Sequence, residues 1–271
     1  MNHSNRSKKL KPTEEEPKSS NKDEEKSGNS CGAGLACNKK DNLPESVTLP
    51  EMREIMKGML QIDPACTAIV TVDMHRGHLD PSVATMPCAK EDCHRVVKHA
   101  KDVLDFARKQ GIPIIHVILV LRRLPIGNEL MNLPFNQYLT NVSQKYRYML
   151  KNHNREGSVQ TQIIPDLYEE SDYVIDNKKT LDSFYETDLE LLLRCLGIDT
   201  TVIIGINTNT CVQNACFSAS ARGFKVVAIS DCMASMYAPE LHTFGLMNIG
   251  SCLGWVLTVE EFKQKVLASK C

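Results

Sequence analysis

Asp73, Lys178 and Cys211 each come at the end of a short apolar stretch of the chain. A carboxylate can take the proton of a thiol, and a nearby ammonium group can stabilise the thiolate that results. The three residue types therefore indicate a cysteine nucleophile that needs no histidine as its base. Taken singly, each has a structural alternative: a strand-end cap, a solvated loop charge and a buried small hydrophobe, respectively.

Cys211 lies where an apolar run at residues 201–204 gives way to a helical pattern at residues 212–222. The first backbone N–H groups of a helix have no partner within the helix, and they lie at the positive end of its dipole. We therefore expect the pKa of the Cys211 thiol to be lowered, which would favour thiolate. The same N–H groups can bind a carbonyl oxygen as it becomes an oxyanion during attack.

Composition limits the class of protein. The chain has 271 residues, 42% of them hydrophobic, and a net charge of −1, so a large globular core is expected and nucleic-acid binding is not. It has no signal-type apolar stretch and no run of eighteen apolar residues, which predicts a cytoplasmic protein without membrane association. Eleven cysteines without framework spacing fit reduced thiols. Small-molecule or protein partners are favoured, and a small-molecule substrate is expected.

Two segments differ in composition. Residues 1–45 are rich in Lys, Glu, Ser and Asn and predict a disordered polar tail, whereas residues 46–271 predict one folded domain. Within that domain, residues 124–157 are too irregular for a simple connection, so a lid or an oligomer contact is expected there.

The rest of the domain alternates between strand and helix patterns. This order predicts an α/β fold of three layers, α/β/α, with a mostly parallel, Rossmann-like sheet. Ligands bind such sheets beyond the carboxyl ends of the strands. The predicted strands are residues 68–73, 113–121, 173–175, 201–206 and 226–229, and the predicted helices are residues 46–60, 91–110, 187–196 and 212–222.

Three segments resemble the signature segments of the isochorismatase-like cysteine hydrolases. They are residues 71–73 (TVD), 178–184 (KKTLDSF) and 205–212 (GINTNTCV), and the resemblance extends over roughly residues 65–260. It implies a catalytic triad of Asp73, Lys178 and Cys211. It also implies a cis peptide bond between Ile206 and Asn207, with the backbone N–H groups of Asn207 and Cys211 as the oxyanion hole.

The implied reaction is acyl transfer through a thioester. Cys211 would attack a small amide or ureide, such as a carbamoyl, biuret-like or half-amide compound, and ammonia would leave. One alternative is a catalytically silent member of the family that acts as a binding or scaffold protein. Another is a thiol redox protein, which the lack of a CxxC pair disfavours.

Further residues are candidates for substrate binding. Arg122 follows the second predicted strand and could clamp a carboxylate or a carbonyl, while His75 and His78 could add hydrogen bonds. The resemblance implies neither cofactor nor metal, because residues 114–123 lack the histidine cluster of the metal-dependent nicotinamidases. It also implies a homo-oligomer, either a dimer or a tetramer.

Overall fold

The computed structural model describes residues 49–124, 127–128, 137 and 153–269. The predicted tail at residues 1–45 and most of the irregular insert lie outside this part of the chain, so both stay predictions. None of the described helices is long and apolar enough to cross a lipid bilayer.

The central feature is a six-stranded sheet in the order β5-β2-β1-β6-β7-β8, and every pairing in it is parallel. A short antiparallel pair, β3 and β4, lies outside this sheet. The strands are β1 (Thr67–Val72), β2 (Ile114–Leu119), β3 (Arg123–Leu124), β4 (Gly127–Asn128), β5 (Tyr173–Lys178), β6 (Thr200–Ile206), β7 (Lys225–Ala234) and β8 (Trp255–Leu257).

Helices cover both faces of the sheet. The α-helices of the described chain are α1 (Leu49–Met59), α2 (Arg76–Leu79), α3 (Lys90–Gln110), α4 (Leu189–Cys195), α5 (Gln213–Ala221), α6 (Pro239–Asn248) and α7 (Val259–Ala268). Apolar residues of α3 and α7 pack on one face, and those of α4 and α5 pack on the other. The predicted three-layer α/β/α architecture is therefore confirmed.

The central strands are buried on both faces. Every residue of β1 and of β6 is inaccessible to solvent. Ile69 faces the α3 side and Val70 the α4 side, because successive side chains of a strand point in opposite directions. This is why these strands are continuous apolar runs in the sequence and lack a polar alternation.

Most predicted elements are present with shifted bounds. Helix α3 ends at Gly111, whose φ of +74° is the left-handed conformation that glycine adopts readily. Strand β5 continues through polar residues to Lys178, because pairing with β2 extends it beyond its apolar part. The predicted helix at residues 212–222 begins differently, since Thr208–Val212 forms a π-helix that leads into α5.

The carboxyl ends of β1 and β6 lie next to each other at the centre of the sheet. Gly205 allows the close approach there, because a Cβ atom at this position would lie only 2.0 Å from the Val72 carbonyl oxygen. Gly205 also has a φ of +137°. The chain that leaves β6 is therefore held against the end of β1, directly before Asp73.

Candidate active site

The structure brings Asp73, Lys178 and Cys211 together. The Lys178 Nζ lies 2.6 Å from Oδ2 of Asp73 and 3.5 Å from Sγ of Cys211. Their exposed fractions are 0% for Asp73 and Lys178 and 5% for Cys211. An ammonium group thus contacts both a carboxylate and a sulfur in a site closed to bulk water.

The backbone fixes the Asp73 carboxylate. Asp73 follows β1 with a φ of +54°, a conformation that non-glycine residues rarely adopt. Its backbone N–H donates to the Val117 carbonyl at 2.9 Å, and its Oδ1 accepts from the backbone N–H of Leu119 at 2.8 Å. One carboxylate oxygen is thereby anchored to β2, while the other meets Lys178.

Lys178 reaches this point from the end of β5, the strand on the far side of β2. An irregularity in the β2–β5 pairing between Val117 and Leu119 places Lys178 opposite Leu119. Burial alone would lower the pKa of Lys178, but the charge and hydrogen bond of the Asp73 carboxylate, together with the interaction with Cys211, outweigh burial and raise this pKa. Lys178 is therefore an ammonium ion.

The expected lowering of the Cys211 pKa is wrong. Burial raises the pKa of this thiol to about 12, and the hydrogen bond and charge of Asp73 act in the same direction. The charge of Lys178 opposes them without reversing the result. The physical reason is that the sulfur is removed from water, which disfavours its charged form more than one ammonium group stabilises it. The resting side chain is a thiol.

Backbone N–H groups lie on the same segment as the thiol. The peptide bond between Ile206 and Asn207 is cis, as the sequence resemblance implies. Oδ1 of Asn207 accepts from the backbone N–H of Met236 at 2.9 Å, and the Asn207 carbonyl accepts from the N–H groups of Thr210 and Val212, both at 3.1 Å. These bonds hold the backbone at Asn207 in place.

Three histidines form a buried group near the triad, which we call the histidine cluster: His75, His78 and His153. The rings of His75 and His78 stack with centroids 4.6 Å apart, and His153 lies 5.1 Å from His78. Burial lowers the pKa of all three, and the charge of Lys178 also lowers that of His75 and His78. They are neutral at neutral pH.

Sequence reasoning did not find His153 or its neighbour Asn154. They belong to the irregular stretch at residues 124–157, about 80 residues from His75, and no periodic pattern could assign them to this place. The structure places His153 against Thr85, where its Nδ1 and the threonine hydroxyl share a hydrogen bond.

The Isochorismatase domain family matches residues 67–261. This chain belongs to that family. Its match to the uncharacterised isochorismatase family protein YwoC of Bacillus subtilis is 35% identical over 106 residues, which is 39% of this chain and about half, 55%, of that relative. Ureidoacrylate amidohydrolase RutB of Rhizobium rhizogenes is 24% identical, with 80% of this chain and 89% of RutB covered.

Solved structures of the isochorismatase family share the fold. A cysteine hydrolase from Pseudomonas syringae superimposes with a TM-score of 0.63 at 21% identity, over 78% of this chain and 96% of that one. At this level of identity the likeness shows architecture alone. It agrees with the parallel sheet and covering helices described above.

Arg122 of this isochorismatase-family chain is exposed and lines a cavity of about 570 Å³ with Tyr168 and Asp176. Another cavity, of about 280 Å³, lies between α1, α6 and β8. Neither cavity is lined by a triad residue, so neither indicates how substrate reaches Cys211.

The described residues contain no group of three or more His, Cys, Asp or Glu side chains arranged to hold a metal ion. Nδ1 of His75 accepts from the Gly77 backbone N–H at 3.0 Å, so the neutral ring carries its proton on Nε2. A nitrogen that bears a proton has no lone pair for a metal.

Proposed function

We propose that this protein is a cysteine-dependent amidohydrolase that cleaves a C–N bond of a small amide or ureide and releases ammonia. The observation that carries the proposal is the contact of one buried ammonium group, Lys178, with both the Asp73 carboxylate and the Cys211 sulfur. The isochorismatase family and the RutB relative support the reaction class.

In the first half-reaction the resting thiol must lose its proton as it attacks. Asp73 takes this proton while Cys211 Sγ forms a bond to the substrate carbonyl carbon, and Lys178 stabilises the negative charge that develops on sulfur. The backbone N–H groups of Asn207 and Cys211 bind the oxyanion. When the intermediate collapses, the C–N bond breaks, Asp73 gives the proton to the departing nitrogen, and a thioester remains.

In the second half-reaction water attacks the thioester. Asp73 takes a proton from the water while the water oxygen forms a bond to the carbonyl carbon. The backbone N–H groups of Asn207 and Cys211 bind the second oxyanion. The C–S bond then breaks, the acid leaves, and the proton returns to Cys211. The site starts and ends with a thiol, a carboxylate and an ammonium ion, so no cofactor is consumed.

Substrate contacts follow from the position of the histidines. His75 lies two residues after Asp73, at the N-cap of α2. Burial lowers the pKa of both His75 and His78, and the charge of Lys178 lowers it further. We assign them to substrate binding. A contact from Arg122 stays a prediction, as do the cytoplasmic location and a dimeric or tetrameric assembly.

Ammonia release from a panel of small amides and ureides tests the proposal. We expect wild-type protein to turn over at least one ureide, and we expect Cys211→Ala and Asp73→Asn to lose about a thousandfold or more of kcat/KM while they stay folded. Cys216→Ala is the matched control, because Cys216 is also fully buried and lies on α5 without contact to Lys178 or Asp73. Full activity of Cys211→Ala would refute the assigned nucleophile.

One observation favours a second candidate, a catalytically silent member that binds a ligand or a protein. Cys211 is 5% exposed and its pKa is raised to about 12, which are properties of an inert buried thiol. This candidate predicts that no compound of the panel yields ammonia. It also predicts that any compound that binds has the same affinity for wild-type protein and for Cys211→Ala.

A further inference from the structure

A set of buried polar side chains lies beside the triad and takes no part in the proton transfers and bond changes proposed above. It consists of the histidine cluster and Asn154. The chain that leaves β2 connects it to the triad: the Leu119 N–H donates to Asp73 at 2.8 Å, and the Leu121 N–H donates to the Asn154 carbonyl at 2.7 Å. Asn154 is therefore fixed next to the segment that anchors the catalytic carboxylate.

The stacked rings of His75 and His78 present opposite hydrogen-bonding groups. His75 accepts at Nδ1, so its Nε2 is a donor. No acceptor meets hydrogen-bond geometry at this buried atom, although a backbone interaction with Gln160 acts to raise the pKa of the ring against the larger effect of burial. His78 interacts through Nδ1 with the Met86 carbonyl at 2.8 Å, which fixes the proton there and leaves Nε2 as an acceptor. A donor and an acceptor thus lie on neighbouring rings.

Asn154 adds an unused amide to this place. It is 0% exposed, and neither its Oδ1 nor its Nδ2 has a hydrogen-bond partner in the described chain. A Cβ atom on Gly77 would lie 2.9 Å from the His75 ring and 3.1 Å from Oδ1 of Asn154, so the amide and the ring flank the same glycine. Buried amides are normally paired with protein, water or a ligand, so both polar atoms of Asn154 are available to such a partner.

The set carries no net charge. The three imidazoles are neutral because burial lowers their pKa, and the charges of Asp73 and Lys178 offset each other. Arg76, which lies between His75 and His78 in the sequence, is paired with Asp80 at 2.8 Å. A carboxylate placed here would lose its water without gaining a cation, which is unfavourable.

We infer that His75, His78 and Asn154 form a neutral subsite that binds an uncharged carboxamide end of the substrate and disfavours a carboxylate there. A carboxamide is complementary to it, since its carbonyl accepts from Nε2 of His75 and its NH₂ donates to Nε2 of His78. The inference rests on the proposed function for the nature of the reacting group. It separates this chain from RutB, whose named substrate, ureidoacrylate, carries a carboxylate.

A matched pair of ligands tests the inference: N-carbamoylglycinamide and N-carbamoylglycine, which differ only in a carboxamide against a carboxylate. Their affinities for Cys211→Ala are measured by calorimetry at pH 7.5. We expect the amide to bind at least tenfold more tightly. Equal affinities, tighter binding of the acid, or no binding of either compound would overturn the subsite.

The measurement does not depend on turnover, so it distinguishes the two proposals. If wild-type protein releases no ammonia while the amide is still preferred by Cys211→Ala, the proposed reaction fails and the subsite stands. If wild-type protein is active but the preference is absent, the reaction stands and the subsite fails.

Two variants made in the Cys211→Ala background separate recognition from structure. Asn154→Gly removes the amide at a residue whose φ of +52° glycine adopts easily, and His78→Phe keeps the stacked ring but removes the acceptor. We expect each to bring the amide-to-acid affinity ratio close to one. His94→Gln, on the exposed side of α3, is the control and keeps the ratio. Loss of thermal stability with an unchanged ratio in both variants would show a structural role only.

Discussion

The proton of Cys211 determines how this site can work. With a pKa raised to about 12 by burial, the sulfur is not a ready-made thiolate, and in the proposed reaction the nearby carboxylate removes its proton during attack. Lys178 contributes by stabilising charge on sulfur once it forms. In the proposed mechanism, Cys211 therefore becomes nucleophilic only when a carbonyl group is bound.

Alkylation rates test this state of the thiol. In a time course with iodoacetamide at pH 7, followed by peptide mass spectrometry, we expect the exposed Cys195 and Cys252 to react before Cys211. The reason is that iodoacetamide needs an accessible thiolate, and Cys211 offers neither access nor ionisation. Preferential labelling of Cys211 would show that the resting sulfur is already ionised.

At the scale of residues, the sequence was sufficient to predict that Asp73, Lys178 and Cys211 come together, and insufficient to predict their surroundings. Asp73, Lys178 and Cys211 could be assigned because each follows an apolar strand and all three lie in segments that resemble one family. The Cys211 pKa could not be predicted, since it depends on how completely the fold buries the sulfur. Asn154 could not be predicted either, because only tertiary structure places it beside Gly77.

At the scale of elements, the meeting of β1 and β6 positions the chemistry, and Gly205 is the residue that allows it. We expect Gly205→Ala to reduce the free energy of unfolding by more than about 2 kcal/mol, because its Cβ atom would lie 2.0 Å from a backbone oxygen that cannot move aside. Urea denaturation provides the measurement.

Gly197→Ala is the matched control for this prediction. Gly197 also has a positive φ, +70°, but a Cβ atom there would meet nothing within 4 Å, so only conformational strain of about 1 kcal/mol is expected. Equal effects of the two substitutions would contradict the steric role of Gly205.

The helices and strands with strong apolar runs could be predicted from the sequence, but those in the carboxy-terminal part of the chain could not. No element was assigned beyond residue 229, although the structure has α6, β8 and α7 there. Strand β8 has three residues, too few to show a pattern. Helix α7 did carry a signal, the capping box of Thr258 and Glu261 at its start. The β5 extension to Lys178 came from pairing with β2, which a local pattern cannot show.

At the scale of the whole molecule, the buried neutral histidines link stability to pH. His75, His78, His153 and His242 all have a lowered pKa in the folded chain, so the unfolded chain binds more protons as the pH falls below about 6.5. Above that pH the rings are neutral in both the folded and the unfolded chain, and the free energy of unfolding does not depend on them. Below it, the free energy of unfolding falls by up to about 1.4 kcal/mol per pH unit for each histidine.

Thermal unfolding between pH 7.5 and pH 5.0 measures this linkage. We expect a nearly constant midpoint above pH 7 and a steady fall below pH 6.5. His153→Gln should flatten the fall, whereas the exposed control His94→Gln should leave it as it is. A midpoint that does not change down to pH 5.0 would contradict neutral burial of these rings.

The central claim is that Cys211 becomes acylated during turnover. The most direct measurement is rapid acid quenching of wild-type protein with a ureide that it hydrolyses, followed by mass spectrometry of the peptide that contains Cys211. The account predicts an acyl adduct on Cys211 that forms and decays with turnover. Continued ammonia release with Cys211 unmodified, or with Cys211 replaced by alanine, would contradict it.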